Sequence, residues 1–219
     1  MEDAALLGQS RLFSALDVEP MRRILAEARS IGCRRNDIIF SEGDEAGELF
    51  VVRSGRIAIG RQSPDGRESL IALMEAGDLF GDMPLFDGEP RSAQARALEA
   101  SQLLCVPYAP VRTVLEERPQ LLWDVVAMLS SRLRSTDSAL ADSVFLDVTG
   151  RTAKRLLELS GDADEFLLPI TQEELAGLVG ASRERVNKAI SAFVRLGWLE
   201  QVDRRYRIID RTQLTRRAR

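Results

Sequence analysis

The sequence predicts an α+β fold in three parts: an antiparallel β-sandwich or roll, one long helix, and a small helical module closed by a hairpin. Three observations predict it. Between Ile31 and Tyr108, short apolar runs recur at roughly 8–12-residue intervals, separated by glycines and one Pro-Asp-Gly. After Pro119, no proline or glycine interrupts the chain as far as Leu146. From Thr171 to Asp210, two amphipathic helical segments flank a glycine and are followed by two strand-like runs.

Composition narrows what such a chain can do. Of 219 residues, 45% are hydrophobic and 29% charged, the balance of an ordinary globular protein. The N-terminus, MEDAALLGQS, is acidic and lacks the basic start of a signal peptide. No apolar run approaches the roughly 20 residues of a membrane helix. A cytoplasmic protein with no membrane contact is expected. There is no histidine. That removes a His-ligated haem, most zinc sites and any Ser-His-Asp or Cys-His nucleophile. Cys33 and Cys105 stand far apart and outside any CxxC, too few for a cysteine-ligated iron–sulfur cluster. They are read as small buried hydrophobes, and no metal is expected. The net charge of −4 hides an asymmetry. Residues 150–219 hold 14 Lys+Arg against 10 Asp+Glu, and the remainder 16 against 24. The basic C-terminal part is the one suited to nucleic acid.

The elements follow in order. Residues 3–29 read as helical, with Asp17 capping Val18–Arg29, Pro20 in its first turn, and Leu12, Phe13 and Leu16 packing inward. The strands are DIIF, ELFVV, RIAI, SLIAL, SAQARAL and QLLCV, with hairpin turns expected at Ser54-Gly55 and Asp65-Gly66. A short helix over 110–118 leads into the long one. Within it Leu122, Val126, Leu129, Leu133, Thr136, Leu140 and Ser143 alternate spacings of four and three. That is a heptad seam about 40 Å long. One flank would pack on its own domain and the seam, over residues 119–146, on a second copy. A single buried helix shows the same pattern, but the polar Thr136 inside the seam suits register or a ligand. Asp147 can cap a helix over Val148–Ser160, so Leu146–Asp147 is the expected hinge. An acidic loop and a strand over Phe166–Ile170 precede the last module. The expected domains are 1–109, 110–146 and 147–219.

In that module Thr171 and Glu174 form a capping box. Leu175, Ala176 and Val179 face inward, Gly180 turns the chain, and Ser182 caps a second helix, Arg183–Leu196. Val186, Ile190 and Phe193 face inward on it. Trp198–Glu200 and Arg205–Ile209 fit a hairpin. This is a winged helix-turn-helix, which binds double-stranded DNA, usually as a dimer. Arg183 can grip a guanine edge, Glu184 can accept from cytosine N4, and Lys188 can reach another guanine. Arg185, Thr171, Gln172 and the wing residues Arg204 and Arg205 are suited to phosphates. The same charges also fit an ordinary solvated helix face, and the Arg-rich tail a solvated end.

A second stretch, FGDMPLFDGEPRSAQARA from Phe80 to Ala97, has parts that suit a cyclic phosphodiester joined to a ribose. Gly81 permits close backbone approach. The N–H groups of a short helix can face phosphate oxygens. Arg91 is a bidentate donor, Ser92 adds a hydroxyl, and Asp82 can accept from a ribose hydroxyl. Alone, the same residues also suit a tight turn with an exposed arginine.

With these motifs in order, the chain from about Leu6 onward resembles the CRP/FNR family of bacterial transcription regulators, nearest the cyclic-AMP receptor branch. The residues that carry the resemblance are Phe80-Gly81, Leu85-Phe86 and Arg91-Ser92-Ala93. With them go FLDVTGR from Phe145 to Arg151 and TQEELA…VGASRERV from Thr171 to Val186. The resemblance implies a cyclic-nucleotide-binding β-roll, a long dimerisation helix and a winged helix-turn-helix, with cyclic AMP as effector. It assigns Gly81 and Asp82 to the ribose, Arg91 and Ser92 to the cyclic phosphate, and Thr136 and a partner copy's Asp137 to adenine. It puts base contacts on Arg183, Glu184 and Lys188, a TGTGA-like half-site, a homodimer, and contact with RNA polymerase. Three features depart from the family's cyclic-AMP binders. Asp82 stands where Glu is usual, Asp137 where Ser or Asn is usual, and Met83-Pro84 is unusual in the cassette. Lys188 replaces the more frequent Arg and lacks its planar fork. A regulator of this architecture without a nucleotide, an enzyme on cyclic nucleotides, and a module working through protein contacts alone are the competing readings.

Overall fold

The computed structural model describes residues 2–63 and 68–219; Asp65-Gly66 lies outside them. Helices α1 (Glu2–Leu7) and α2 (Val18–Glu27) open the chain. α2 stops two residues short of expectation because Arg29 already belongs to a strand, β1 (Arg29–Cys33). Asp17 precedes α2 in extended conformation but makes no side-chain cap bond. Its carboxylate accepts instead from Arg118 at 2.6 Å.

Two four-stranded antiparallel sheets follow. One has the order β1-β8-β3-β6, with β3 Glu48–Ser54, β6 Leu79–Phe80 and β8 Ser101–Pro107. The other is β2-β7-β4-β5, with β2 Ile38–Phe40, β4 Ile57–Gln62, β5 Glu68–Met74 and β7 Gln94–Ala97. β3 and β8 read as almost unbroken apolar runs because both of their faces are covered. Leu49, Val51, Leu104 and Val106 pack against α1, α2 and the next helix, α4 (Tyr108–Glu117). Phe50, Val52, Leu103 and Cys105 point into the space between the sheets, with Ile57, Phe80, Ala95 and Ala97. Cys105 is fully buried there, and burial pushes its thiol up to about 12; Cys33 is half-buried.

Ser54-Gly55 is a turn but not a hairpin within one sheet. It passes the chain from β3 to β4, which lie in different sheets. Gly55 has φ +87°, and a Cβ there would fall 2.2 Å from the Ser101 hydroxyl. Only glycine supplies both that conformation and that space.

After α3 (Met83–Asp87), α4 and a 3₁₀ turn at Pro119–Leu121, the long helix α5 runs from Leu122 to Phe145. Leu121, Val125 and Met128 are buried on its own chain. Leu122, Val126, Leu129, Leu133 and Leu140, the apolar residues of the heptad row, are all exposed. The chain divides into two compact units within this helix, between Leu133 and Arg134. The start of β5, Glu68–Leu70, groups with the second unit.

In that second unit Asp147 caps α6 (Val148–Ser160), accepting from Gly150 N at 2.8 Å. A three-stranded sheet, β10-β11-β9, is built from Leu199–Val202, Arg205–Ile208 and Glu165–Leu167. α7 (Gln172–Val179) and α8 (Arg183–Arg195) complete the helix pair. The Arg-rich tail is only partly solvated: Arg216 and Arg219 are exposed, but the helix that carries it is anchored. Asp210 caps α9 (Arg211–Arg217), whose Leu214 is fully buried. Arg217 grips Asp147 with one guanidinium nitrogen on both carboxylate oxygens. No described helix is long and apolar enough to cross a membrane.

Candidate functional site

The Phe80–Ala97 stretch forms a turn, the short helix α3 and the approach to β7. Gly81 has φ +74°, and a Cβ there would lie 2.7 Å from an Arg91 nitrogen. Glycine is therefore what lets Arg91 fold back onto its own cassette. The backbone of Arg91 is fixed by pairing with the loop before β3: Arg91 N donates to Asp44 O and Gly43 N to Arg91 O.

The Arg91 side chain is buried, at 5% exposure. One nitrogen donates to Gly81 O at 2.7 Å and to the Tyr108 hydroxyl at 3.1 Å; another donates to Glu48 O at 2.7 Å. The guanidinium carbon stands 4.1 Å from the Phe40 ring centroid, a cation–π contact. Phe40, Phe50 and Phe80 close the cage, with centroids 5.2–6.1 Å apart. The Tyr108 hydroxyl also donates to Gly81 O. Burial raises the Tyr108 phenol pKa, against which the neighbouring Arg91 charge pulls.

Asp82 is buried at 1% exposure, and Arg132 of α5 donates to both its oxygens at 2.9 Å. That pairing leaves no cap bond from Asp82 to α3. The first turn of α3 offers an anion little, because Pro84 has no N–H and Leu85 N donates to Asp82 O. Ser92 is exposed, its hydroxyl 3.6 Å from the Met83 sulfur. The structure thus brings Gly81, Asp82 and Arg91 together but turns Arg91 inward and Ser92 outward. Thr136 and Asp137 are exposed on α5 and belong to the second unit. Sequence reasoning missed Arg132 and Tyr108. Arg132 stands one helical turn before Thr136, a spacing that was available as a signal. Tyr108 had none, since its role depends on which strand it follows.

The second candidate region is α7–α8. Thr171 and Glu174 make the capping box in both directions, at 2.6 and 3.2 Å. Gly180 turns the chain at φ +67°. Ser182 caps α8, accepting from Arg185 N at 3.4 Å. Val186, Ile190 and Phe193 are buried, which turns Arg183, Glu184, Arg185 and Lys188 outward; all four are exposed. No ion pair among the described residues engages them. Gln172 is half-buried beside Thr171. In the wing, Asp203 takes φ +54° between β10 and β11. Arg204 is exposed but donates to Leu168 O at 3.0 Å, and Arg205 pairs with Glu165 at 3.3 Å.

Two family models match the chain: the cyclic nucleotide-binding domain over residues 32–118 and the Crp-like helix-turn-helix domain over 150–217. The CRP-like cAMP-activated global transcriptional regulator of Mycobacterium tuberculosis is 34% identical over 221 residues, 98% of this chain and 99% of that protein. The cAMP-activated global transcriptional regulator Vfr of Pseudomonas aeruginosa is 33% identical over 74% of this chain and 80% of its own length. Among solved structures, the c-di-GMP-responsive global regulator CLP of Xanthomonas campestris superposes with a TM-score of 0.75 at 26% identity. That match covers 88% of this chain and 99% of the other.

Proposed function

This chain belongs to the CRP/FNR family of transcription regulators, and from that premise we propose that it is switched by cyclic AMP and acts as a homodimer. It is a cyclic-nucleotide-responsive DNA-binding regulator and not an enzyme. The observation that carries the finer reading is the coexistence of two sets of side chains in one chain. A glycine, a carboxylate and an arginine converge at Gly81, Asp82 and Arg91, while Arg183, Glu184 and Lys188 project freely from α8.

In this reading Gly81 and Asp82 take the ribose, Arg91 and Ser92 the cyclic phosphate, and Thr136 with a second copy's Asp137 the adenine. The open heptad row supports pairing through residues 119–146. Two winged modules one DNA turn apart, about 34 Å, would read a palindromic TGTGA-like site. Arg183, Glu184 and Lys188 contact bases, with Ser182 at the end of α8 that enters the major groove; Thr171, Gln172, Arg185, Arg204 and Arg205 contact phosphates. Work on promoters in the cytoplasm and contact with RNA polymerase belong to the same proposal, as does the three-part division at 109/110 and 146/147.

The test is calorimetric titration with cyclic AMP, with cyclic GMP as control, followed by DNA titration with and without nucleotide. One site per copy and tighter DNA binding with cyclic AMP are expected. A second reading has one observation in its favour: Asp82 and Arg91 already have partners within the chain. A regulator that needs no nucleotide, or takes a different effector, would give no heat with either compound and nucleotide-independent DNA binding.

A further inference from the structure

We propose that Tyr108 is a positioning residue that gates the nucleotide site, holding Arg91 in an inward, self-bonded pose that the effector must undo. The inference rests on the proposed role of Arg91 as the phosphate ligand. In the pose seen, both terminal nitrogens of that arginine already donate within the chain, through three of its five N–H groups. Two of its three acceptors are main-chain carbonyls, Gly81 O and Glu48 O; the third is the Tyr108 hydroxyl. An arginine bonded this way is unavailable to an anion until it turns, so ligand affinity is reduced by the fraction of molecules in the outward pose.

Two features make the inward pose a resting state and not a permanent one. Arg91 Nε is buried with no hydrogen-bond partner among the described residues, so the cage leaves one donor desolvated and unsatisfied. A phosphate oxygen would satisfy that donor. Tyr108 is also the one acceptor of the three that a side chain supplies, and it sits at the first position of α4 with its N–H on Gly47 O at 2.8 Å. The hydroxyl is clamped between Arg91 and Gly81 O. When Arg91 turns outward, Tyr108 loses its cationic donor and keeps only the carbonyl.

The phenol thus trades stability of the unliganded chain against affinity for the ligand. Tyr108→Phe keeps the ring and removes one of three bonds to a charged group. We expect cyclic AMP to bind the variant about tenfold tighter in calorimetry, roughly the low end for a hydrogen bond to a charged group. Without nucleotide the variant is expected to melt at a lower temperature. Opposite signs in affinity and stability distinguish a gate from a purely structural tyrosine, whose loss would lower both. Tyr206→Phe, remote in sequence and buried in the other unit, serves as control and should leave affinity unchanged.

A second measurement covers the case in which Tyr108→Phe fails to fold. The chain has two tyrosines, so protein carrying 3-fluorotyrosine gives two fluorine resonances, assigned with Tyr206→Phe. Saturation of the folded, natural sequence with cyclic AMP should shift the Tyr108 resonance as Arg91 leaves it. Equal or weaker binding by Tyr108→Phe, or an unmoved Tyr108 resonance at saturation, overturns the gate while leaving the nucleotide reading intact. Absence of binding in both the natural sequence and Tyr108→Phe overturns the nucleotide reading itself, and the gate with it.

Discussion

The nucleotide cassette and the recognition helix carry their charged side chains in opposite ways. In the cassette, Asp82 and Arg91 are buried and bonded to groups of the same chain. On α8, Arg183, Glu184, Arg185 and Lys188 stand exposed over a buried apolar face. Charges in the cassette hold the fold together. Charges on α8 make no ion pair among the described residues, which leaves them available to a partner such as DNA. Substitutions in the first region should cost stability and function together, and in the second function alone.

The largest expected effect is at Arg91. Arg91→Ala empties the aromatic cage and leaves the Glu48 carbonyl and the Tyr108 phenol without the arginine donor. It should lose about 3 kcal/mol in urea unfolding and all measurable response to nucleotide. Loss of response with unchanged stability would mean that the buried arginine bears no structural load. Next comes Arg132→Ala, which strands the buried Asp82 carboxylate. About 2–4 kcal/mol of destabilisation is expected, partly recovered in the double variant with Asp82→Asn. Arg183→Ala should leave unfolding unchanged and cost about 1–3 kcal/mol at one base pair of the operator, measured against an operator altered at that pair. Equal weakening on all sequences would make Arg183 a phosphate contact. Thr171→Ala blurs the comparison usefully, because its hydroxyl belongs to the capping box; about 1 kcal/mol of stability should go with it.

The smallest effect is at Asp147. Its bond from Gly150 N, and then Arg217, hold its carboxyl below the ordinary carboxylate range. The depressed value means that its contribution is complete above the unfolded value, about pH 4, and is lost as pH falls through the folded one. The side chain is largely exposed, so Asp147→Asn should flatten the acid limb of the stability curve only slightly.

How far the sequence carried these conclusions follows from the range of the forces involved. The capping box at Thr171–Glu174, the cap at Asp147 and the end of α5 at Phe145 rest on neighbours three or four residues apart, and all were legible. So was the outward face of α8, a matter of helical period. The strand status of Arg29–Cys33 depends on pairing with Ser101–Cys105, about seventy residues on, and was not. The same holds for the sheet change at Gly55 and for α9, whose burial depends on α6. At the cassette, sequence singled out Asp82 and Arg91 but not their present partners. Arg132 and Tyr108 lie 50 and 17 residues away from them.

One feature of α5 reaches beyond the ligand. Past Leu133, every residue of the helix except Asp142 is exposed on its own chain. A run of that length with no apolar partner is marginal as a helix in water. Through the pairing proposed above, its order comes from a second copy, which makes dilution a signal in its own right. In that reading the melting temperature should climb with protein concentration. A cell could then silence this regulator simply by making less of it, more steeply than in proportion to the amount made.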